Sequence, residues 1–396
     1  MAINQFTSPE GDLDNYLITE YWLIDQWVGD TLWTWGWQGY GQLGDNTATQ
    51  RNTPVTTLSG GTNWKQVAGG GRCSAAIKTD GTLWVWGQNE WGELGNNRTT
   101  STSTPVTTFA GGTNWKQVSC GYSCMAAIKI DGTLWTWGRN NFAQLGDNTT
   151  TNRTTPVTTF AGGTNWKQVS CSNNNTHMAA INNDGTLWTW GRNNNGTLGD
   201  NTIISRSTPV TTFAGGTNWK QVSCGSDHTA ATKTDGTLWT WGSNYGTLGD
   251  NTSPRKITPV TTFAGGTNWK QVSGGNNTTA AIKTDGTLWT WGSSGGSGIL
   301  GNNDTSFKNT PITTFAGGTN WKQVSGGNST MSAIKTDGTL WVWGYGNQGG
   351  VGDNTATTRL TPVTTFAGGT NWKQTDSGAG HTIAVTSGTD PTFFIS

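Results

Sequence analysis

The sequence predicts an all-β protein, a closed seven-bladed β-propeller of four-stranded blades. The first observation is a Trp-x-Trp run, "DGTLWTWG" in several copies, that recurs at intervals of 51, 51, 53, 51, 50 and 52 residues. The second is that each repeat contains four short β-like runs. The third is that the two ends of the chain carry complementary parts of one repeat. Repeats of about fifty residues with four strands each are typical of propellers.

The four runs of one repeat read, in order, "WKQVS", "MAAIK", "TLWTWG" and "TPVTT". The Asp-Gly between the second and third runs predicts a type I′ hairpin, which needs positive φ at both central residues. The Gly-Asp-Asn of "LGDN" and the Gly-Gly of "FAGG" interrupt the chain before and after the fourth run. In "LWTW" the two Trp point to one face of the strand and Leu and Thr to the other. This pattern fits a sheet that its neighbours bury on both faces.

The ends of the chain predict how the ring closes. The first copy of the Trp-x-Trp run, at 29–36, lacks the "AAIK"-like strand that precedes the other copies. The last such strand, "HTIAVT" at 381–386, lacks a Trp-x-Trp run after it. We therefore expect 381–386 to pair with 32–35, which completes a composite blade and removes exposed sheet edges. A linear solenoid is the competing architecture, but it needs polar capping units at its ends.

Three segments follow from this reading: a leader at 1–28, a propeller at 29–390 and a tail at 391–396. The 396 residues include 23 basic and 23 acidic ones, and only 12% are charged. Such a surface lacks the basic stripe that nucleic acid requires, so we expect no nucleic-acid partner. No apolar run approaches eighteen residues, so we expect no membrane insertion. The first residues show no secretory signal, and five cysteines indicate reduced thiols rather than a disulfide framework.

Equivalent positions of the repeats form circles around the axis of a propeller, and two circles contain chemically active residues. The position two before "AA" holds Cys or His in several repeats, and these residue types can bind zinc. Zinc needs four ligands that converge on one point, however, and in a propeller these side chains come from different blades and point apart. We expect a structural role, no metal and no cofactor. The members are Cys73, Cys124, His177, His228, Thr278, Thr330 and His381.

The second circle contains small residues, as close packing near a crowded axis requires. No base and orienting acid accompany its cysteines, so we expect no catalytic nucleophile. The "GDNT" loops offer one Asp and one Asn each, which is too few oxygens for calcium, and we expect turns there. The small circle consists of Gly69, Cys120, Cys171, Cys224, Gly274, Gly326 and Ser377.

Two surface sets are candidate binding residues. Aromatic residues follow "WG" in loops at one rim, where they could bind sugar or protein; the alternative is that each packs over its own blade end. A basic residue precedes "TP" by two positions in six repeats and could recognise an anionic glycan; the alternative is a local ion pair with the loop Asp. The aromatic set is Trp37, Tyr40, Trp91, Phe142, Tyr245 and Tyr345, and the basic set is Arg51, Arg153, Arg206, Lys256, Lys308 and Arg359.

The leader is acidic and apolar. It carries five acidic residues, and no basic residue occurs before Arg51. Its segment "YLITEYWLIDQWV" is too apolar to stay in water, so we expect it to dock under the propeller or on a partner subunit. The predicted assembly residues are Tyr16, Leu17, Tyr21, Trp22, Ile24 and Trp27.

Residues 224–249, "CGSDHTAATKTDGTLWTWGSNYGTLG", resemble the unit "CGxxHTxALTxDGxxYxWGxNxxGQLG" of the regulator of chromosome condensation repeat family. The resemblance extends over 29–390 and implies a seven-bladed propeller in which the His-Thr position is structural. It implies no activity, because one fold hosts many functions. The sequence has neither the blade insertion of the founding GTPase exchange factor nor the "GWRHT" cluster of the family's plant ultraviolet-B photoreceptor.

The nearly identical, Thr- and Asn-rich repeats with "AGGTNWKQV" also resemble propellers encoded by marine tailed phages and related bacteria. We therefore predict a non-enzymatic structural or binding propeller of a virion, as a tail, fibre or capsid-decoration protein. Its expected partners are other protein subunits, bound through 1–28, and a cell-surface glycan. The alternative is a bacterial intracellular scaffold in the cytoplasm. An enzyme is disfavoured because His is scarce and most carboxylates are the repeated turn Asp.

Overall fold

The computed structural model describes residues 30–388. No helix among these residues has the length and apolar character needed to cross a membrane. The described part of the chain is built from short strands, all paired in antiparallel fashion. In chain order these are β1 (Leu32–Gly36), β2 (Arg51–Thr56), β3 (Trp64–Gly69), β4 (Cys73–Lys78), β5 (Leu83–Gly87), β6 (Thr102–Thr107), β7 (Trp115–Cys120), β8 (Cys124–Lys129), β9 (Leu134–Gly138), β10 (Arg153–Thr158), β11 (Trp166–Cys171), β12 (His177–Asn182), β13 (Leu187–Gly191), β14 (Arg206–Thr211), β15 (Trp219–Cys224), β16 (His228–Lys233), β17 (Leu238–Gly242), β18 (Lys256–Thr261), β19 (Trp269–Gly274), β20 (Thr278–Lys283), β21 (Leu288–Gly292), β22 (Lys308–Thr313), β23 (Trp321–Gly326), β24 (Thr330–Lys335), β25 (Leu340–Gly344), β26 (Arg359–Thr364), β27 (Trp372–Ser377) and β28 (His381–Thr386).

The strands form seven four-stranded sheets, which are the blades of a propeller. Blades 1 to 6 take four consecutive strands each, starting at β3, and blade 7 combines β27 and β28 with β1 and β2. We name the four strands of a blade a to d, where strand a begins with the "WKQ" run. The a strands of successive blades adjoin one another in a complete ring, with β27 next to β3. The predicted all-β, seven-bladed propeller is confirmed.

Blade 7 closes the ring as the ends of the sequence predict. Strand β28 pairs with β1 along the whole of β1, from Leu32 opposite Val385 to Gly36 opposite His381. The Thr386 N–H also donates to the Thr31 carbonyl at 3.0 Å. One blade is thus shared between the two ends of the described chain.

The turn between strands b and c differs from the type I′ hairpin that we expected. In blade 1 the Gly81 N–H donates to the Lys78 carbonyl, and the Lys78 N–H donates to the Thr82 carbonyl. Gly81 has a φ of 81°, whereas Asp80 does not have positive φ. This is a type I turn followed by a glycine in the left-handed region, a three-residue hairpin loop. Asp80 is favoured there because its Oδ1 accepts the Thr82 N–H at 2.9 Å.

Glutamine side chains join each blade to the next around the axis. The Gln221 amide donates to the Val272 carbonyl at 2.8 Å and accepts the Val272 N–H at 2.9 Å. A carboxamide can do both at once, so it satisfies the unpaired edge of the neighbouring a strand. Gln374 makes the same pair of bonds to Val67 at 3.3 and 3.2 Å, across the closure. The other members are Gln66, Gln117, Gln168, Gln271 and Gln323.

Tryptophans fill the blades. Trp115 of strand a lies edge-on to both tryptophans of strand c, with ring centroids 6.4 Å from Trp135 and 6.3 Å from Trp137. The Lys129 ammonium lies 4.8 and 4.7 Å from the ring centroids of Trp115 and Trp135. Leu134, on the opposite face of strand c, is also buried. Both faces of each blade are therefore covered, as the "LWTW" pattern predicts.

The antiparallel order gives the propeller two distinct ends. The a–b and c–d connections emerge at one end, which we call the loop face. The b–c turns and the d–a connections emerge at the other end, which we call the turn face. The predicted aromatic and basic sets both belong to c–d connections or their edges, so they lie at the loop face.

Candidate functional site

The c–d loops are held by the blade that follows each of them. The second Trp of the "LWxW" run donates its indole N–H to a loop carbonyl of the preceding blade, as from Trp137 to Glu93 at 2.7 Å. Trp35 closes this set by donating to the Gly350 carbonyl at 3.1 Å. The repeated Trp-x-Trp run is thus needed once per blade to fix the neighbouring loop.

Inside five of the seven c–d loops, an amide two residues after the "WG" Trp–Gly pair serves as an internal anchor. Asn140 donates to Asp147 Oδ1 and to the Thr149 and Thr151 carbonyls at 3.0–3.1 Å, and it accepts the Leu145 N–H. The loop turns at an Asn with positive φ, which Asn tolerates better than most residues. The "GDNT" segments are therefore turns, as expected. The anchoring amides belong to Gln38, Asn89, Asn140, Asn193 and Asn244.

The basic set makes ion pairs within its own loops. Arg153 bonds Asp147 at 2.6 Å, and Lys308 bonds Asp304 at 2.8 Å. Blade 1 has neither partner, because Asn96 and Thr102 replace the acid and the base together. The sequence left two alternatives for these residues, an anionic-ligand site or a local ion pair with an Asp of the loop. The local ion pair is present at all six: Arg51, Arg153, Arg206, Lys256, Lys308 and Arg359.

The aromatic set divides into two groups. Three members lie beneath an arginine of the next blade: Arg72 is 4.8 Å from the Tyr40 ring, Arg139 is 5.0 Å from Trp91, and Arg192 is 5.1 Å from Phe142. Trp37 packs edge-on against Tyr40 at 5.5 Å. Tyr245 and Tyr345 are 62% and 39% exposed. We had considered that each aromatic ring packs over the end of its own blade. The arginines that cover Tyr40, Trp91 and Phe142 belong to the neighbouring blade instead.

The histidine and cysteine circles are built into the blade contacts. His228 donates from Nε2 to Thr279 Oγ1 at 2.9 Å, because that hydroxyl gives its only hydrogen to the Thr247 carbonyl. Burial lowers the pKa of His228 to about 4, so it is neutral at pH 7. His177 and His381 bond the next blade in the same way. Among residues 30–388, no group of three or more His, Cys, Asp or Glu could hold a metal ion.

The small circle sits where strands a approach closely. A Cβ on Gly274 would lie 2.7 Å from the backbone nitrogen of Gly225 in the preceding blade. The Cys224 thiol contacts the Ser170 carbonyl at 3.4 Å, and burial raises its pKa above the ordinary value. A buried thiol held in its protonated form is a poor nucleophile.

Two buried carboxylates were missed at the sequence level. Glu93 is fully buried and accepts the Trp91 N–H at 2.8 Å, and burial raises its pKa to about 7. Asp376 accepts the Gly69 N–H at 2.9 Å across the closure, and burial raises its pKa to about 6. No other repeat has an acid at either position: two have Gln in place of Glu93, and five have Ser in place of Asp376, and that difference was the available signal.

The turn face carries a ring of exposed apolar side chains that sequence reasoning also missed. Each d–a connection presents one, and their exposure is 50–67%. The signal was the Phe of "FAGG", which recurs beside a break in the chain. We call this set the phenylalanine ring; it consists of Leu58, Phe109, Phe160, Phe213, Phe263, Phe315 and Phe366.

A second ring on the turn face is basic. The Lys of each "WKQ" run is exposed at the start of strand a, the innermost strand. We call this set the lysine ring; it consists of Lys65, Lys116, Lys167, Lys220, Lys270, Lys322 and Lys373. Lys373 bonds the Asp30 carboxylate at 2.6 Å. The described chain therefore begins at this face.

The predicted assembly residues Tyr16, Leu17, Tyr21, Trp22, Ile24 and Trp27 lie outside the described residues. The described part of the chain begins at Asp30. Its N–H donates to the Thr62 carbonyl, and its carbonyl accepts the Trp64 N–H. These contacts place Asp30, the first described residue, next to blade 1 and the lysine ring.

Comparison with protein families matches most of the propeller to the regulator of chromosome condensation (RCC1) repeat. The matched residues are 30–77, 80–128, 131–179, 184–232, 235–282 and 337–385. The chain belongs to the RCC1 repeat family. The resemblance to that family stated from the sequence is thus confirmed.

Among curated RCC1 relatives, the chain is 33% identical to the ultraviolet-B receptor UVR8 of Arabidopsis thaliana, over 54% of this chain and 49% of the receptor. It is 30% identical to the human E3 ubiquitin-protein ligase HERC2, over 52% of this chain and 4% of the ligase. The match therefore spans about half of the first relative and a small part of the second. The crystal structure of Prp20p from Saccharomyces cerevisiae has a TM-score of 0.78 at 17% identity, covering 94% of this chain and 95% of that one. The structural similarity to Prp20p shows that the two chains share the propeller fold.

Two neighbouring c–d loops, those of blades 5 and 6, lack the anchoring amide. In blade 5 the loop reads "GSSGGSGILG", and Ser294 takes the place of the anchoring amide. The RCC1 matches given above leave out 283–336, whereas a second RCC1 repeat match covers 269–298 and includes Ser294. A cleft of about 330 Å³ lies here, between blades 5 and 6. Exposed Tyr345 of the predicted aromatic set lies at its edge.

Proposed function

We propose that this RCC1-repeat propeller is a non-enzymatic scaffold that attaches to a protein partner through its turn face and displays its loop face. The observation that carries the proposal is the phenylalanine ring. Seven large apolar side chains, each half to two-thirds exposed, surround one end of the molecule. One exposed apolar side chain at the same place in every blade gives this end repeated apolar anchors bordered by polar groups, which is typical of a protein interface. Prp20p, a propeller of the same fold, binds Gsp1p and histones.

Charge supports the same face. Within residues 30–388 there are 23 basic and 17 acidic residues, while the leader contains five acidic residues and no basic one. The lysine ring places seven ammonium groups near the axis, and one of them already binds a carboxylate, that of Asp30. An acidic partner surface with apolar anchors would fit both rings. Asp30, the first described residue, lies beside this surface, so in this proposal the leader contributes to the same attachment.

In the specific version of this proposal the partner is a virion protein of a tailed phage, attached through residues 1–28 and the turn face. Its support is the resemblance of the Thr- and Asn-rich repeats to phage-encoded propellers. The loop face would then point outward, where its loops could contact protein or glycan. The second candidate is a bacterial intracellular scaffold, which uses the same face for a cytoplasmic partner.

Incorporation into phage particles tests the specific version. The chain is expressed with the phage, particles are purified, and the bound propeller is measured by immunoblot for the parent, a variant lacking residues 1–28, and Phe160→Ser/Phe213→Ser/Phe263→Ser. We expect both changes to abolish incorporation. The matched control is Tyr245→Ser, which removes an aromatic of similar exposure from the loop face and should leave incorporation unchanged.

If the parent is absent from particles but cross-links to a cytoplasmic protein through the turn face, the intracellular scaffold replaces the virion version. If the triple Phe variant attaches as well as the parent in both settings, the turn-face attachment is wrong.

A further inference from the structure

We propose that the cleft between blades 5 and 6 on the loop face is a binding site for a neutral sugar. The inference deepens the glycan part of the proposed function by naming its site and ligand class. It involves neither the turn face nor the leader. Its parts are an aromatic ring at the edge, amides along the sides, and unpaired hydroxyls at the base.

The cleft lies where the c–d loop of blade 5 lacks the anchoring amide found in other blades. In blades 1 to 4 an Asn at the anchor position fills the loop interior and donates to several oxygens, as Asn140 does. Ser294 of blade 5 has two fewer side-chain heavy atoms and is one bond shorter, and its Oγ makes no hydrogen bond. In blade 6 Gly346 takes the same place and supplies no side chain at all. Because Ser294 and Gly346 both lack the anchoring amide, the loops of blades 5 and 6 leave space that an amide side chain fills in the other blades.

Two hydroxyls at this cleft have no partner in the described chain. Ser294 is 2% exposed and Thr278 is 1% exposed, and neither Oγ makes a hydrogen bond. Both residues line the cleft. Each of the two oxygens exposes less than 1 Å², so a ligand pairs with them only where the lining moves to admit it, and it then relieves the cost of a buried unpaired hydroxyl.

The remaining lining indicates the class of ligand. Asn276, Asn277 and Asn328 present half-buried side chains to the cleft, and Tyr345 is 39% exposed beside them. An aromatic face attracts the polarised C–H groups of a sugar ring, while amides and hydroxyls pair with its O–H groups. None of the lining residues is charged, so the cleft offers no counter-ion to a sialic acid or a phosphate. A volume of about 330 Å³ lies at the small end of ligand pockets, which fits one sugar residue.

The position of Tyr345 separates it from the other loop aromatics. Tyr40, Trp91 and Phe142 have an arginine over the ring, so one face of each is already occupied. The Tyr345 hydroxyl accepts the Asn347 side-chain N–H at 3.1 Å, which restrains the ring. Tyr245 is more exposed than Tyr345 but does not line the cleft.

Saturation-transfer NMR on the full chain tests this site. The probes are the methyl glycosides of glucose, galactose, mannose and N-acetylglucosamine, with N-acetylneuraminic acid as a charged probe and Gly-Ser-Gly as a neutral peptide probe. We expect at least one neutral glycoside to bind, and the two other probes not to bind. Tyr345→Ala and Ser294→Asn should each weaken that binding by about tenfold or more, since one removes the stacking face and the other refills the space.

Tyr245→Ala is the matched control and should bind as the parent does. Ser294→Asn is expected to fold, because Asn occupies this position in four other blades, and unchanged thermal unfolding verifies that. The proposal is overturned if no neutral glycoside binds the parent, if only the peptide or the charged sugar binds, or if both cleft variants retain full binding. Failure here leaves turn-face attachment intact, because the attachment variants do not touch the cleft.

Discussion

Glu93→Gln removes a buried ionisable group and should make the propeller more stable in alkaline solution. Glu93 is fully buried in the c–d loop of blade 1, where Oε2 accepts the Trp91 N–H and Oε1 is unpaired. Gln42 and Gln144 hold the same position in neighbouring blades and accept the corresponding N–H. Glutamine therefore preserves the hydrogen bond and the volume while removing the charge.

The sign and size of the effect follow from the raised pKa. Burial raises the pKa of Glu93 from 4.5 to about 7, so the folded protein holds the proton more tightly than the unfolded chain does. The stability contributed by the protonated acid is complete below about pH 4.5 and is lost as pH rises through about 7. A difference of about 2.5 pH units corresponds to about 3 kcal/mol at pH 9. The variant should gain up to that amount there and nothing at pH 4.

Urea unfolding followed by tryptophan fluorescence at pH 4, 7 and 9 measures the effect. The free-energy difference between Glu93→Gln and the parent should grow with pH. Gln144→Glu is the matched reverse change in blade 2 and should introduce the same pH dependence. A constant difference at all three pH values would refute a buried, pKa-shifted carboxyl at position 93.

Two further predictions concern the contacts between blades. Gln221→Ala removes both hydrogen bonds to Val272 and should lower the free energy of unfolding by about 2 kcal/mol. Gln374→Ala breaks the equivalent pair of bonds across the closure and should lower it by a similar amount. If urea unfolding shows a loss for Gln221→Ala alone, the ring is not continuous. Asp376→Ser restores the residue found at this place in five repeats. Burial raises the pKa of Asp376 to about 6, so its protonated form stabilises the fold below about pH 4 and that stability is lost as pH rises through about 6. The serine variant should therefore unfold at higher urea than the parent at pH 8 but not at pH 4, and equal midpoints at pH 8 would be evidence against a buried acid.

The closing of the ring could be predicted from counting alone. The "AAIK"-like strand missing before the first Trp-x-Trp run reappears as "HTIAVT", and the structure pairs it with β1. The turn type was wrong because Asp-Gly fits both a two-residue and a three-residue hairpin loop. Asp80 is held by its own bonds to Thr82, which favour the type I turn, and nothing in the dipeptide distinguishes the two.

Contacts between blades were harder to predict, because they depend on which side chains meet across the radial interfaces. The arginines over Tyr40, Trp91 and Phe142 come from the next blade, some tens of residues along the chain. The Ser294 departure was visible in "GSSGGSG", but its consequence required knowing that Asn anchors the loop interior. The phenylalanine ring was also visible, yet a Phe between Thr and Ala does not reveal from sequence that it faces solvent.

The most direct test of the closed ring is hydrogen–deuterium exchange of the backbone amides of β28. In the structure, Ile383 and Val385 lie in a strand flanked by β1 and β27, as the equivalent residues of β12 are flanked by β11 and β13. We predict that amides of 381–386 are protected to the same degree as those of 177–182 under native conditions. Rapid exchange in 381–386 beside strong protection in 177–182 would show that the ends do not pair, and would contradict the closed propeller.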